Sequence, residues 1–514
     1  MKKRRIIMNN DFYNIFQIEP PVTDQDIYDA VDKIAGTQVD TLALLVPFAL
    51  GEDRVIDPDL ERIYQHPECD RCIENLLALG EAGKDPFEMV LKRARKKGIE
   101  FFASIRLNDT HYLDHPFHPF VTQFYYDNLH NRVGTPQGRA NCEMDYRKSV
   151  IRKYYLGLIR DAAEKYDIDG FELDFTRNCK YFPEPQADEC APVLTQFVRD
   201  VRTMLDRIGK KRKKKILLSA TVPYSLYRCR KEGLDVPVWA RLGLIDILCL
   251  SSPFIAEFDH DVRDVRLNVP GVQVYAGCDR NVAYGFDGVS RVVPMQTYRA
   301  MAMNYLRQGA DGSYLYNVMS WTMNYAKADA AVKRDGGQGE TAEAPIDYDR
   351  NLMNEVGSID TLRCLDKLYL VGRGSEGADR PYASLPITVP ACGEVTLRLS
   401  VGDDVATAAA EDRIEKIYVQ TVSSDCADHN NYTVKLNASD LSRQYAFVPY
   451  ADRPQDVLLF PEPGRRGPLP DAARVRRHPV RAVDLHTGVN LISIKSYRDP
   501  LTVTDVELAI IYRK

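Results

Sequence analysis

Short apolar runs recur along about the first 320 residues, each followed by a longer segment whose apolar positions return every three to four residues. A brief run rich in branched side chains fits a strand buried on both faces, and the 3.6-residue spacing fits an amphipathic helix. Eight runs qualify as strands: RRIIMNN (4–10), VDTLALLV (39–46), IEFFASIRLN (99–108), IDGFELDF (168–175), KILLSATV (215–222), IDILCLSS (245–252), VQVYAGC (272–278) and GSYLYNVM (312–319). Helical segments lie between them. TDQDIYDAVDKIAG opens on a threonine followed by acids and stops at a glycine, and DPFEMVLKRARKKG opens on Asp-Pro and closes on basic residues and glycine, the start and stop signals of helices. YRKSVIRKYYLGLIRDAAEKY, PVLTQFVRDVRTMLDRIG and MQTYRAMAMNYLRQG complete the set. Strand and helix alternating eight times predict a (β/α)8 barrel of the α/β class.

The pattern changes near residue 372. EVTLRLSV, RIEKIYVQTV, YTVKLNA, YAFVPY, VNLISIKSY and VTDVELAIIYRK are short alternating runs separated by turn residues, with almost no helical signal. They predict an all-β sandwich of jelly-roll type, hence a barrel over 1–371 and an accessory sandwich over 372–514. A chain of 514 residues and 58.4 kDa exceeds what one hydrophobic core accommodates, which agrees with two domains. Two stretches, 47–83 and 108–145, are too long for plain βα connections, and in a barrel such insertions shape the substrate side. The second is rich in histidine and aromatic residues, a composition suited to stacking on the flat apolar faces of sugars.

A formal net charge of −5 gives no electrostatic reason to expect nucleic acid. The single basic block, GKKRKKK at 209–215, is expected to be a solvated loop between helix and strand. No apolar stretch approaches the roughly 20 residues of a membrane span, and the amino terminus lacks a secretory core. The eleven cysteines are odd in number and scattered. Several fall in buried elements, which suits reduced thiols and a cytoplasmic setting better than a disulfide framework. Cys69 and Cys72 form one CxxC beside His66 with no second pair, so neither a structural zinc nor a cofactor is expected. Oligomeric state is not legible, and a homo-oligomer stays open.

The fourth strand carries the chemistry. In DGFELDF, Phe171, Leu173 and Phe175 share one parity and Gly170, Glu172 and Asp174 the other. The apolar set therefore faces the helices and the acidic set the lumen. Glu172 and Asp174 lie roughly 6–7 Å apart along the strand, so one carboxyl is raised in pKa or a cation sits between them. Arg106, on the lumenal parity of ASIRLND with Asn108, is the candidate cation, and Asp109 and His111 follow it. Asp169 is expected to be structural. Inward residues at the C-terminal strand ends form the active site of such barrels. They add Asn9 and Asp11 from the first strand, Arg177 beyond the fourth, Tyr224 after the fifth, Asp279 after the seventh, and Tyr316, Asn317 and Trp321 at the eighth.

The motif aligns in part with two sugar-processing patterns. Against the chitinase-like D-G-x-D-x-D-x-E, Asp169, Gly170, Glu172 and Asp174 match and Thr176 stands where the acid belongs. Against the α-amylase-like G-F-R-x-D, Gly170, Phe171 and Asp174 match, which puts Asp174 at the nucleophile position and Glu172 in place of the arginine. Over most of its length the chain resembles the glycosyl-hydrolase-like family-ten group of bacterial proteins, through AGTQVDTL, FFASIRLND, YDIDGFELDFTR and GADGSYLYN in order. That resemblance implies a barrel glycoside hydrolase acting on an oligo- or polysaccharide. Asp174 is the expected nucleophile or base, Glu172 its lumenal neighbour, and Asp279 or Asp109 a proton donor. Two alternatives stay open: a metal-dependent barrel hydrolase or lyase using Glu172, Asp174, Asp109 and His111, and a non-catalytic carbohydrate-binding protein on a degenerate barrel.

Overall fold

A computed structural model describes residues 2–46, 67–111, 113, 121–134, 142–251, 258, 261–278, 281–283, 290–292, 294–317, 346–372, 385–424, 432–441, 446–448 and 474–513. Eight parallel strands close on themselves: β1 (Ile6–Asn10), β2 (Val39–Leu45), β3 (Glu100–Arg106), β4 (Gly170–Asp174), β5 (Leu217–Val222), β6 (Ile247–Leu250), β7 (Gln273–Gly277) and β8 (Gly312–Tyr316), with β8 pairing back onto β1. Each lies within one of the eight runs picked out by hydrophobic pattern. The chain divides into two compact units, one of 1–253, 261–277 and 310–353, which holds the barrel strands, the other of 254–260, 278–309 and 354–514.

Local chemistry explains the helix boundaries. Thr23 and Asp26 form a reciprocal capping box at α1 (Asp24–Asp32), and Asp85 caps α2 (Pro86–Lys96), which has proline in its first turn. These contacts satisfy N–H groups that no helical carbonyl can reach. After α3 (Ser149–Lys165), α4 runs from Ala191 to Arg212, so of the basic block 209–215 only Lys213–Lys215 form the expected loop. The block's first four residues form the last turn of α4, where cations are favoured by the helix dipole. Arg212 donates to the Tyr166 carbonyl at 2.6 Å, and Lys214 pairs with Asp167 at 2.5 Å. Lys215 pairs with Asp246. The block therefore ties the starts of β4, β5 and β6 together.

The lumen is filled in layers. At the N-terminal end, fully buried Arg4 donates to both oxygens of Glu100 (2.5 and 2.8 Å) and to Gln273 (2.8 Å), and lies over the Phe102 ring. Phe102 explains Gly170, because a Cβ there would stand 2.6 Å from its ring. Gly170→Ala is expected to cost about 1–3 kcal/mol by overpacking, with part of the loss recovered in Gly170→Ala/Phe102→Leu. Denaturant titration of the three proteins checks this, and equal stability of single and double variants would contradict it.

Besides a short antiparallel pair (Asn281–Ala283 with Ser290–Val292), the second unit contains two larger antiparallel sheets. One comprises β9 (Lys367–Leu370), β10 (Ile387–Val389), β12 (Ile414–Ser424), β15 (Ala446–Val448), β16 (Arg474–Pro479) and β18 (Leu501–Tyr512); the other comprises β11 (Glu394–Val401), β13 (Tyr432–Leu436), β14 (Ser439–Asp440) and β17 (Gly488–Ser496). They face each other as a sandwich. The Tyr432 hydroxyl on β13 reaches Thr421 and Ser423 of β12, and Arg476 of β16 lies 3.7 Å over the Tyr432 ring. The sequence pattern found six of these strands and passed over β9, β10, β14 and β16, which are short or interrupted by charge.

Buried His478 on β16 donates from Nδ1 to the Leu441 carbonyl at 3.0 Å. Burial, aided by the Arg476 charge and opposed by that carbonyl, pushes its pKa down to about 4. An unfolded histidine titrates near 6.5, so the unfolded chain takes up the proton first as pH falls. Stability is unaffected above that value and declines from pH 6.5 to about 4, by about 3 kcal/mol in all. His478→Gln should lose this part of the acid slope in denaturation curves run across that range; an unchanged slope would exclude the histidine as its source.

Among the described residues no helix is long and apolar enough to cross a membrane. His66 and the Cys69 side chain of the CxxC lie outside the described residues.

Candidate active site

Register places Ser104, Glu172 and Ser219 abreast on β3, β4 and β5, and Arg106, Asp174 and Thr221 abreast one step nearer the C-terminal mouth. The two steps form distinct polar layers, each centred on one carboxyl of β4.

The lower layer is closed. Glu172 is 1% exposed and accepts four hydrogen bonds from four strands. Asn9 Nδ2 and Ser104 Oγ donate to Oε2, each at 2.6 Å, and Thr221 Oγ1 (2.7 Å) and Tyr314 OH (2.8 Å) donate to Oε1. Burial and the charge of Asp174 raise its pKa, against the pull of the Ser104, Thr221 and Tyr314 donors. Its oxygens are saturated, so Glu172 reaches the mouth only through its field on Asp174. Asn9 belongs to this layer.

The upper layer lies one step nearer the mouth, with Asp174 itself fully buried. Asp174 Oδ1 accepts from the Thr176 backbone N–H (2.8 Å) and hydroxyl (2.6 Å), and Oδ2 accepts from Tyr316 OH at 3.1 Å. Thr176, at the position of the chitinase-like acid, thus fixes the rotamer of Asp174. Desolvation keeps the Tyr314 and Tyr316 phenols well above their ordinary pKa, so both remain donors.

Arg106 is the cation of this layer, but it does not stand between the β4 carboxyls. Its side chain is 9% exposed, donates to Asp109 at 3.1 Å, lies 4.0 Å from Asp11 and sits over the Tyr316 ring at 6.0 Å. Burial opposes its charge, and Tyr316, Asp109, Asp11 and Asp174 outweigh burial and hold it firmly protonated. Asp109 also accepts from the His111 backbone N–H at 3.0 Å and from the His111 ring, whose other nitrogen meets Arg177. Burial would raise the Asp109 pKa, but His111, Arg106 and Arg177 together force it far below the usual carboxylate range. Asp11 accepts from Asn317 Nδ2 at 3.2 Å.

Of the residues chosen from sequence, Asp11, Arg106, Asp109, His111, Asp174, Arg177, Tyr316 and Asn317 therefore come together at the ends of β1, β3, β4 and β8. Asn108 is placed differently. Its amide donates to the Met144 and Lys180 carbonyls (3.2 and 2.6 Å) and accepts from the Met144 N–H (2.9 Å), fastening the loops after β3 and β4 to each other. Tyr224 is buried after β5. Asp279 and Trp321 lie outside the described residues. Sequence reasoning did not select Tyr314, Thr221 or Thr176 as site residues. Lumenal parity on β8 and β5 could have flagged the first two, but no local signal marks Thr176 as a clamp. Asp169 accepts from the Phe101 N–H at 3.1 Å, the structural role expected of it. Among the described residues, no three His, Cys, Asp or Glu side chains converge as metal ligands would.

No protein-family model matches the chain, and no curated protein matches it. Solved structures do. α-L-fucosidase isoenzyme 2 from Paenibacillus thiaminolyticus is 13% identical with a TM-score of 0.40, covering 65% of this chain and 50% of the fucosidase. The chain thus spans half that enzyme's length. The PgaB (BpsB) glycoside hydrolase domain from Bordetella bronchiseptica is 12% identical with a TM-score of 0.38, over 64% of this chain and 98% of that domain. Tryptophan synthase from M. tuberculosis is 12% identical with a TM-score of 0.31, over 69% of this chain and 92% of that one. Glycoside hydrolases are prominent among these neighbours, but at such identities and scores the likeness carries no argument about the reaction or the family-ten group.

Proposed function

We propose that the protein is a glycoside hydrolase whose reacting carboxylate is Asp174. The observation that carries this reading is the state of that side chain. Asp174 ends β4 on the catalytic face of the barrel, is held in one rotamer by Thr176, and receives a phenol hydrogen bond from Tyr316, with the Arg106 charge alongside. Carboxylates fixed at this position attack or deprotonate at an anomeric centre in the two-carboxyl mechanisms of sugar hydrolysis. Positive charge accumulates on the sugar ring in the transition state, and the Asp174 carboxylate, with Glu172 beneath it, supplies the opposing field.

Glu172 acts as the support of Asp174 and not as the acid, because none of its lone pairs faces the mouth. Arg106 holds the carboxyls Asp11 and Asp109 at the rim, where a pyranose hydroxyl finds both donors and acceptors. Arg106 also occupies the place a divalent cation would take among these acids, so the metal-dependent alternative has no observation in its favour. The carbohydrate-binding alternative is separated by activity. Incubating the protein with α- and β-configured 2,4-dinitrophenyl hexosides and a panel of oligosaccharides should release dinitrophenolate or shorter sugars from at least one member. Binding with no turnover on any member would favour the non-catalytic reading.

A further inference from the structure

We propose that Asp11 is the proton donor to the departing glycosidic oxygen. The inference rests on the reading of Asp174 as the reacting carboxylate, and it follows from comparing the four acids of the site. Glu172 is sealed beneath the layer with four donors on its two oxygens. Asp174 is fixed as the acceptor of three hydrogen bonds. Asp109 is locked by an ion pair with Arg106 and a hydrogen bond from the His111 ring, so protonating it would disturb both contacts. Among the described residues Asp11 is the remaining one of these four acids, and its side chain is 24% exposed, against 31% for the locked Asp109, where Glu172 and Asp174 are essentially covered.

Its hydrogen bonding is also that of a group suited to carry a proton. Oδ2 accepts from Asn317 at 3.2 Å and the Asn14 backbone N–H also faces the carboxyl, while Oδ1 is buried with no matched donor. A buried, unmatched carboxylate oxygen is costly as an anion and far less so as a neutral acid. Desolvation accordingly raises the Asp11 pKa in spite of Arg106, the Asn14 N–H, Arg177 and His111, the groups that face it from β3, from its own turn and from the loops after β3 and β4. Asp109 is thus driven downward and Asp11 upward, so that of these two Asp11 is the one whose surroundings favour carrying a proton.

The backbone holds Asp11 in place. Tyr13 N–H donates to the Asp11 carbonyl at 2.7 Å across Phe12, whose φ of 67° and ψ of −51° make this the rare γ-turn form. A bulky residue tolerates that conformation only where packing enforces it. Here the Phe12 ring is buried against Phe16, with centroids 4.9 Å apart, and against Phe87.

In the reaction the Asp11 O–H bond breaks as its proton passes to the glycosidic oxygen. The C1–O bond breaks with its electron pair going to that oxygen, and C1 gains a bond from Asp174 or from a water that Asp174 deprotonates. Asp11 remains as a carboxylate and recovers its proton from the water consumed in hydrolysis or from solvent.

The test compares wild type and Asp11→Asn on a 2,4-dinitrophenyl glycoside, whose leaving group needs no proton, and on the matching unactivated saccharide. The variant should retain activity within about tenfold on the first and lose on the order of 10²-fold or more on the second. The alkaline limb of its kcat/KM profile on the saccharide should disappear. Retained cleavage of the activated substrate also shows that the variant is folded. Equal loss on both substrates, or no loss on the saccharide, overturns the role of Asp11 while wild-type turnover still supports a hydrolase. A wild type that cleaves neither overturns both.

Discussion

Asp174→Asn should reduce kcat/KM by roughly 10³-fold or more, about 4 kcal/mol of transition-state stabilisation, on whichever glycoside the wild type hydrolyses. The substitution is nearly isosteric. An asparagine at 174 still offers its amide oxygen to the Thr176 N–H and hydroxyl, and its amide nitrogen can donate to the Tyr316 oxygen that now donates to Oδ2. The layer therefore remains satisfied while the negative charge opposite the anomeric carbon is gone. Sugar affinity should change little, because the ground state carries no developing charge for Asp174 to stabilise. Steady-state kinetics with isothermal titration on the same preparation separates the two quantities. A fall in affinity matching the fall in turnover would make Asp174 a binding group and not a reacting one.

Glu172→Ala should be the most destabilising substitution at the site. It removes the acceptor for Asn9, Ser104, Thr221 and Tyr314 at once. Each buried donor left unmatched costs about 1–3 kcal/mol, moderated where hydroxyls can turn to one another, as Thr221 and Tyr314 already can at 3.3 Å. A net loss of about 4 kcal/mol or more is expected, enough to threaten folding of a marginally stable chain. Glu172→Gln keeps one acceptor oxygen and should cost less, while still lowering turnover by changing the field beneath Asp174. Chemical denaturation of both variants checks the order. If Glu172→Ala is as stable as wild type, the layer does not depend on its carboxylate.

The barrel was legible because its determinants are local. Most strands are short apolar runs, helices such as α1 and α2 carry their own caps, and both can be recognised without knowing what they touch. Parity on β4 was equally local, and it assigned Glu172 and Asp174 to the lumen and Phe171, Leu173 and Phe175 to the helices. The different fates of the two acids were not legible. The four donors on Glu172 come from β1, β3, β5 and β8, segments scattered over some three hundred residues, and nothing near Glu172 in sequence announces them. Asn108 shows the same limit, since its amide is used by main-chain atoms near 144 and 180 that no periodicity relates to it. Asp11 was visible only as a polar residue at a strand end, and its unmatched oxygen emerges once Asn317 and Arg106 are brought beside it. The basic block at 209–215 misled over its first four residues because composition favours a loop, whereas the end of α4 welcomes the same charges.

The most direct test of Asp174 as the reacting carboxylate is the hydrolysis of a 2,4-dinitrophenyl glycoside, chosen as the best wild-type substrate, by Asp174→Asn. Dinitrophenolate release should fall about 10³-fold or more, with the activated leaving group giving no rescue and binding of the corresponding sugar retained. Release within tenfold of wild type would show that the reaction does not pass through Asp174.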